Sequence, residues 1–447
     1  MLVHIVKSKL KSIRWLTNFV DKYRDIRIYQ QAENYIQSES KWKKMQEDNL
    51  RDLLDYARGH SRYYRNLIPL HLPEDDTVYE VLRNIPLLSK DIIRNRQTEI
   101  FSDEVSPETP WANTGGSTGE PLRFPAISSG KQLETLCQAI LYIKMGGKAT
   151  DLIVAVDGTR IDEANQKKNI YWKEERTNFP YGKYAMSTLC MSHITLPYYV
   201  SFLNRVKPSI LRGYPSGVIE IARYCDEKNI IFDFQLKGIY LTSENYGFEE
   251  EQLISKVFKC PVFGQYGHTE ASIFAIKKPS ELEYSCLPIY GVTEILSPEG
   301  IHVKKGETGE VVVTGFNHYG IPFIRYKTGD YAVYGGETEN GFVILKSLLG
   351  RSIDYLINDD GERIFLVGFI FGGHLKAFNY IAKWQLEQKE VGKVYMRIVK
   401  GQGFDDNIEK EIVDLFIKKK IVVEINYVDE IKRTMRGKCK FMIQHLS

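Results

Sequence analysis

Five short stretches of this chain carry residue types able to bind and polarise a phosphorylated ligand. The first is Asn113-Thr114-Gly115-Gly116-Ser117-Thr118-Gly119-Glu120-Pro121-Leu122, where three glycines alternate with hydroxyl residues before a closing proline. Glycines let the backbone turn tightly against an anion, and hydroxyls and free N–H groups then donate to it. The same composition also makes ordinary surface turns. The Gly-Lys-Ser/Thr ending with which P-loop nucleotidases reach the β- and γ-phosphates is absent.

The second stretch, Gln265-Tyr266-Gly267-His268-Thr269-Glu270, directly follows an apolar run. Tyr266 could stack on a base, Thr269 offers a hydroxyl, and the Glu270 carboxylate could hold Mg2+. A capped turn with a solvated glutamate is the plainer alternative. In Ile324-Arg325-Tyr326-Lys327-Thr328-Gly329-Asp330, the aspartate could accept from both hydroxyls of a ribose, because an ionised carboxylate only accepts. An ordinary hairpin Gly-Asp would look the same. Leu349-Gly350-Arg351-Ser352-Ile353-Asp354 joins two regions of different texture. Its glycine permits unusual torsions, and Arg351 could reach a ribose or phosphate. Lys432-Arg433-Thr434-Met435-Arg436-Gly437-Lys438-Cys439-Lys440 is a basic loop, of a kind that is usually solvated, but able to swing over a phosphate.

The elements that must position these residues follow from hydrophobic periodicity. Residues 1–105 read as helical and charged, with Leu50, Leu53, Leu54 and Ala57 on one helical face and Ser89 as the N-cap of a following helix. Short apolar runs at 152–156, 239–241 and 262–266 alternate with helical segments at 216–228 and 247–257. That alternation predicts a mostly parallel sheet covered on both faces, whose ligands bind beyond the carboxyl ends of the strands. From about Leu287 to Leu345, alternating segments such as Glu310–Thr314 and glycine-containing turns predict antiparallel strands, arranged as a small β-barrel. Past Gly350, a strand at 394–399, a helix at 408–419 and a strand at 421–425 predict a small α+β lid. The expected organisation is therefore an α/β N-terminal domain over 1–350 and a mobile C-terminal domain over 351–447.

Composition narrows the function classes. A chain of 447 residues with 43% hydrophobic and 26% charged residues is an ordinary globular protein with room for two or three domains. A net charge of +3 gives no reason to expect nucleic acid as a partner. Six scattered cysteines with no CxxC pair argue for a reduced, cytoplasmic protein without a disulfide framework or a zinc site of the usual spacing. No stretch approaches the roughly 20 apolar residues of a membrane span. Near the N-terminus Lys7, Lys9, Lys11 and Arg14 alternate with Leu10, Ile13, Trp15, Leu16, Phe19 and Val20. Such a segment could rest on the inner face of a membrane or pack on its own protein.

Taken in order, the five stretches resemble the motifs of the adenylate-forming superfamily of acyl-CoA synthetases, adenylation domains and luciferases. Within it the likeness is to the phenylacetate–CoA ligase-like branch, which includes ligase-like proteins of capsular polysaccharide clusters. Tyr63-Tyr64-Arg65, Ile85-Pro86-Leu87-Leu88-Ser89-Lys90, Gly213-Tyr214-Pro215-Ser216 and Thr242-Ser243-Glu244 are also similar to stretches of that branch, so the resemblance covers nearly the whole chain. It implies that Thr114, Ser117 and Thr118, with Gly115, Gly116 and Gly119, hold the β- and γ-phosphates of ATP. By the same likeness Ser243 and Glu244 line the adenine side, Tyr266 stacks on the base, and Thr269 contacts the α-phosphate. Glu270 would hold Mg2+, Asp330 with Arg351 would bind the ribose, and Arg351 to Asp354 would be the hinge. Lys438 would neutralise the reacting groups, and His193, Tyr214, Pro215 and Ser216 would lie near the acyl group. The sequence departs from the pattern at Glu120, where the phosphate loop usually carries a lysine, and at Ile353 within the hinge.

The resemblance implies an ATP-dependent enzyme that activates a small carboxylic acid as its acyl-adenylate and transfers the acyl group to coenzyme A. An amine or hydroxyl acceptor, such as a polysaccharide precursor, is the alternative within the same chemistry. A non-catalytic nucleotide-binding protein is the rival from another class, with Glu120 as its support.

Overall fold

The computed structural model describes residues 14–113, 122–351, 355–366, 369, 380–401, 403–434 and 441–446; at 14–19, 350, 351 and 365 only the backbone is described. One sheet of twelve strands organises most of the chain. Its centre is parallel: Tyr184–Ser187, Ile153–Asp157, Ile210–Gly213, Gly238–Thr242 and Val262–Gly267 lie side by side in that order. These strands are almost wholly buried, as expected of parallel strands covered on both faces. The predicted strands at 152–156, 239–241 and 262–266 are thus present, each displaced by a residue or less. The helices Pro215–Glu227 and Phe248–Phe258 stand where periodicity placed them.

Beyond Val262–Gly267 the sheet continues as antiparallel strands. Phe274–Lys277 and Tyr284–Cys286 come next, then Val343–Arg351, Tyr326–Glu337, Thr308–Gly315 and Gly291–Leu296. The antiparallel region expected from the glycine-punctuated texture is therefore hydrogen-bonded directly onto the parallel half.

The N-terminal helices cover the antiparallel half. Within Trp42–His60, Leu50, Leu53, Leu54 and Ala57 are fully buried, and Ser89 caps the helix Lys90–Asn95 by accepting from the Ile92 amide. The segment before that cap docks on the strand carrying Asp330. The Leu88 amide donates to the Arg325 carbonyl at 2.9 Å, and the Lys327 amide donates to the Leu88 carbonyl at 2.9 Å. Arg325 locks the junction from inside. Its guanidinium makes a two-pronged pair with Glu294, at 3.1 and 3.0 Å, and donates to the carbonyls of Arg83 and Ile85 at 2.6 and 2.9 Å.

After residue 380 a four-stranded sheet with its own core takes over. Ile381–Glu390 and Lys393–Lys400 form a hairpin, and the helix Asp406–Ile417 crosses to Val422–Tyr427, parallel to the second strand. Met442–Gln444 pairs parallel with the first. The strand–helix–strand unit matches the periodicity of the sequence; the hairpin partner Ile381–Glu390 has no counterpart in that reading.

Because Arg325 is 7% exposed and its fork is fully used, removing one partner leaves the other charge buried and unpaired. We expect Arg325→Ala to destabilise the N-terminal region by about 3–5 kcal/mol in urea unfolding. A loss below about 1 kcal/mol would show that this clamp does not hold the helices in place.

Candidate active site

The strand Val262–Gly267 delivers Tyr266 and, one turn later, Glu270 to the seam between the parallel and antiparallel halves. The chain can turn there because position 267 has no side chain: a Cβ would stand 2.5 Å from the Gln265 Nε2 and 3.0 Å from the Ile273 carbonyl. Three non-glycine residues flanking the site occupy the left-handed region: Ser243 at φ 74°, Ala271 at φ 45° and Arg325 at φ 50°. Each such torsion costs on the order of 1–3 kcal/mol and persists only where neighbours hold it.

Two hydroxyl–carboxylate hydrogen bonds join the second and third motifs. The Tyr326 hydroxyl donates to Glu270 Oε1 at 2.8 Å, and the Tyr266 hydroxyl donates to Asp330 Oδ2 at 2.6 Å. Asp330 is held further by its own amide, which donates to Thr328 Oγ1 at 3.0 Å, while that hydroxyl donates to the Val311 carbonyl at 2.7 Å. Burial, reinforced by the Asp330 charge, pushes the Tyr266 phenol well above its ordinary value, so it stays protonated and donating. Glu270 is 5% exposed. Burial alone would raise its carboxyl, but the charge of His268, with the Tyr326 hydroxyl, outweighs that and brings it down from 4.5 to about 2. The His268 Nδ1 lies 3.3 Å from Glu270 Oε2, at ion-pair distance without good hydrogen-bond alignment. Burial lowers the nearby His318 imidazole to about 4, so it is neutral at pH 7.

No cluster of three or more His, Cys, Asp or Glu side chains able to cage a metal ion occurs among the described residues. One buried, ionised carboxylate nonetheless suits Mg2+, which takes one or two protein carboxylates and completes its octahedron with phosphate oxygens and water. Glu270 fits that role. Thr269, exposed beside it, presents its hydroxyl at the same strand end.

The remaining expected residues are distributed as follows. Ser243 and Glu244 follow the strand Gly238–Thr242, and Glu244 Oε2 accepts from the Ser216 amide at 2.9 Å. This contact joins the Ser243–Glu244 loop to Tyr214-Pro215-Ser216, which begins the helix Pro215–Glu227. That helix start packs tightly: a Cβ at Gly213 would stand 2.3 Å from the Val156 carbonyl, and one at Gly217 would stand 2.7 Å from Thr188 Cγ2. His193 lies on an exposed turn between Cys190 and Thr195, which help to line a cleft of about 600 Å3 with Arg160, Lys167 and Tyr171. Asp330 pairs with Arg351 across antiparallel strands, so the backbone sets the fourth motif opposite the third. The Arg351 side chain, Thr114, Gly115, Gly116, Ser117, Thr118, Gly119 and Glu120, the hinge residues 352–354, and Lys438 lie outside the described residues.

Sequence reasoning missed three participants. Tyr326 and Arg325 lie inside a motif read only for Asp330, and Glu220 sits mid-helix with no motif around it. The signal for Tyr326 was its alternation with Thr328 and Asp330 along one strand, which places all three on the same face.

The fold is shared with solved structures of CoA ligases and acyl acid amido synthetases. It superposes on 2-hydroxyisobutyryl-CoA ligase in the postadenylation state with a TM-score of 0.67, at 18% identity, covering 90% of this chain and 89% of that one. The same ligase in its thioesterification state, with 2-HIB-AMP and CoA, superposes with a TM-score of 0.54 at 19% identity over the same shares of each chain. The GH3.15 acyl acid amido synthetase in complex with 2,4-DB gives 0.57 at 14% identity, again over 90% and 89%. More particularly, residues 356–445 match the CapK C-terminal domain family. Protein CapK of Staphylococcus aureus is 25% identical over 414 residues, spanning 90% of this chain and 89% of CapK.

The depressed Glu270 carboxyl carries a pH signature. A group whose folded value lies below its unfolded value stabilises fully above the unfolded value and loses that contribution as pH falls through the folded one. For Glu270 the window therefore runs from about 4.5 down to about 2. Compared with the wild type, Glu270→Gln should show a shallower fall of unfolding free energy across that window, measured by urea titration at successive pH values. Parallel curves would mean that Glu270 is not held ionised by its neighbours.

Proposed function

We propose that this chain is an AMP-forming ligase, activating a carboxylic acid with ATP as an acyl-adenylate and then passing the acyl group to an acceptor. The observation that carries this reading is the convergence of Glu270 and Asp330, two buried carboxylates each fixed by a tyrosine hydroxyl, at one strand end of an adenylate-forming fold. In the first step a substrate carboxylate oxygen attacks the α-phosphorus, and the bond to pyrophosphate breaks. Asp330 accepts from the ribose hydroxyls, and Tyr266, whose hydroxyl is anchored to it, presents its ring to the base. Thr269 donates to the α-phosphate, while the loop of Thr114, Ser117 and Thr118 wraps the leaving phosphates. Bound Mg2+, held by Glu270, supplies neutralisation of the polyphosphate charge. Lys438 offsets the charge gathered between carboxylate and phosphate, and the small domain keeps water out. Tyr214, Pro215, Ser216 and His193 are assigned to the acyl side.

For the acceptor, the likeness to CapK over nearly the full chain and the resemblance to capsule-cluster ligase-like proteins favour an amine or hydroxyl on a polysaccharide precursor. Coenzyme A is the competing acceptor, supported by the fold shared with CoA ligases. Both proceed by attack on the acyl carbonyl with AMP as leaving group.

Incubation with ATP, Mg2+ and aryl, fatty, uronic and amino acids should release pyrophosphate with at least one of them. ATP binding with no pyrophosphate from any would favour a non-catalytic nucleotide-binding role. Asp330→Ala and Glu270→Gln should each lower adenylation at least about a hundredfold, the range seen when transition-state donors or clamps are removed. Lys438→Ala should suppress adenylation while sparing transfer from a synthetic acyl-adenylate; equal loss in both steps would remove Lys438 from its assigned role.

A further inference from the structure

The C-terminal sheet is tied to the helix Pro215–Glu227 by a compact set of charged contacts. Glu220 Oε1 receives Arg433 Nη2 at 2.6 Å and Lys383 Nζ at 2.9 Å, so one carboxylate serves two cations from distant parts of the small domain. Arg433 Nη1 donates to Ser216 Oγ at 2.8 Å. From the helix, Arg223 reaches back and donates to the Ala382 carbonyl. The Arg433 and Glu220 side chains are only 9% and 11% exposed, so salt screens them far less than a surface pair. Charge-assisted hydrogen bonds of this kind are among the strong ones.

The position of this cluster gives it a consequence. Ser216, the hydroxyl that Arg433 holds, is bound through its amide to Glu244 on the Ser243–Glu244 loop. Lys438 follows Arg433 by five residues. Rotation of the small domain away from the helix must break every one of these contacts together. The superposition also favours the postadenylation state of the CoA ligase over its thioesterification state, which is an arrangement reached before acyl transfer.

We propose that Glu220, Arg433 and Lys383 form an electrostatic latch that holds the small domain in its adenylation arrangement and must open for acyl transfer. Arg433 and Glu220 are positioning residues: they act on the first half-reaction through the small domain that they hold against the helix. The assignment of half-reactions rests on the adenylate-forming reading above, whereas the latch itself is a property of the two domains. A two-state equilibrium shifts only by the free-energy difference its contacts make between the states. Removing the carboxylate therefore lowers the latched population and leaves the reacting groups untouched.

The test uses the full chain with spin labels at Lys228 and Lys418, exposed positions on the two sides of the contact. With ATP and Mg2+ present, Glu220→Gln should move population from the short, latched distance to a broader, longer one by about ten- to a hundredfold, as expected for loss of hydrogen bonds to a charged group. Arg433→Gln should do the same, the double variant should add little, and Arg433→Lys should retain part of the latched population. Pyrophosphate release should fall by a similar factor in Glu220→Gln, while transfer from a synthetic acyl-adenylate stays equal or rises. An unchanged distance distribution in Glu220→Gln overturns the latch, and equal loss of both half-reactions overturns its positioning role. If no acid supports pyrophosphate release in the wild type, the adenylation reading fails, and the distance shift still decides the latch.

Discussion

The structure depends on how a parallel and an antiparallel half-sheet are joined at one seam. Parallel strands end in loops that can present chemistry, but those loops need a fixed counterpart to aim at. Here the counterpart is the antiparallel strand Tyr326–Glu337. Its Tyr326 bonds Glu270 of the parallel side, and its Asp330 takes the hydroxyl of Tyr266 in return. Each contact pairs a neutral donor with a buried carboxylate, which is stronger than a neutral pair and costly to leave unmade. The crossing is reciprocal, so neither half can slide without exposing a carboxylate to an apolar surround. Arg325, next to Tyr326, extends the weld to the N-terminal helices through Glu294 and two backbone carbonyls.

This rigidity sets what can move. The seam, the clamp and the strained torsions at Ser243, Ala271 and Arg325 make the large domain a fixed platform. The small domain has its own core and meets the platform through polar contacts at the helix Pro215–Glu227. Polar interfaces of that kind allow two arrangements, because charged groups regain water when they separate, whereas an apolar interface would not.

Much of this was legible in the chain. Helix faces, the Ser89 cap, three of the five parallel strands and the strand–helix–strand unit near the C-terminus follow from periodicity and local capping, which act within a few residues. The motifs around Tyr266, Glu270 and Asp330 were also visible, because glycine turns next to polar residues mark strand ends. Other features had no local sign. Ile381–Glu390 is a strand because Lys393–Lys400 and Met442–Gln444 pair with it, and its mixed polarity reflects its role inside a small sheet.

What the sequence by itself determined is therefore many of the elements and the chemical types at their ends: hydroxyls and glycines, two carboxylates, an aromatic and a basic loop. Tertiary structure alone decided their pairing. Tyr326 meets Glu270 across 56 residues, Tyr266 meets Asp330 across 64, and Arg433 meets Glu220 across 213. Contacts at such separations are set by sheet order and by domain docking, and neither leaves a period in the chain. A tyrosine or an arginine looks the same in sequence whether it faces water or locks a carboxylate, and burial is what turns it into a lock.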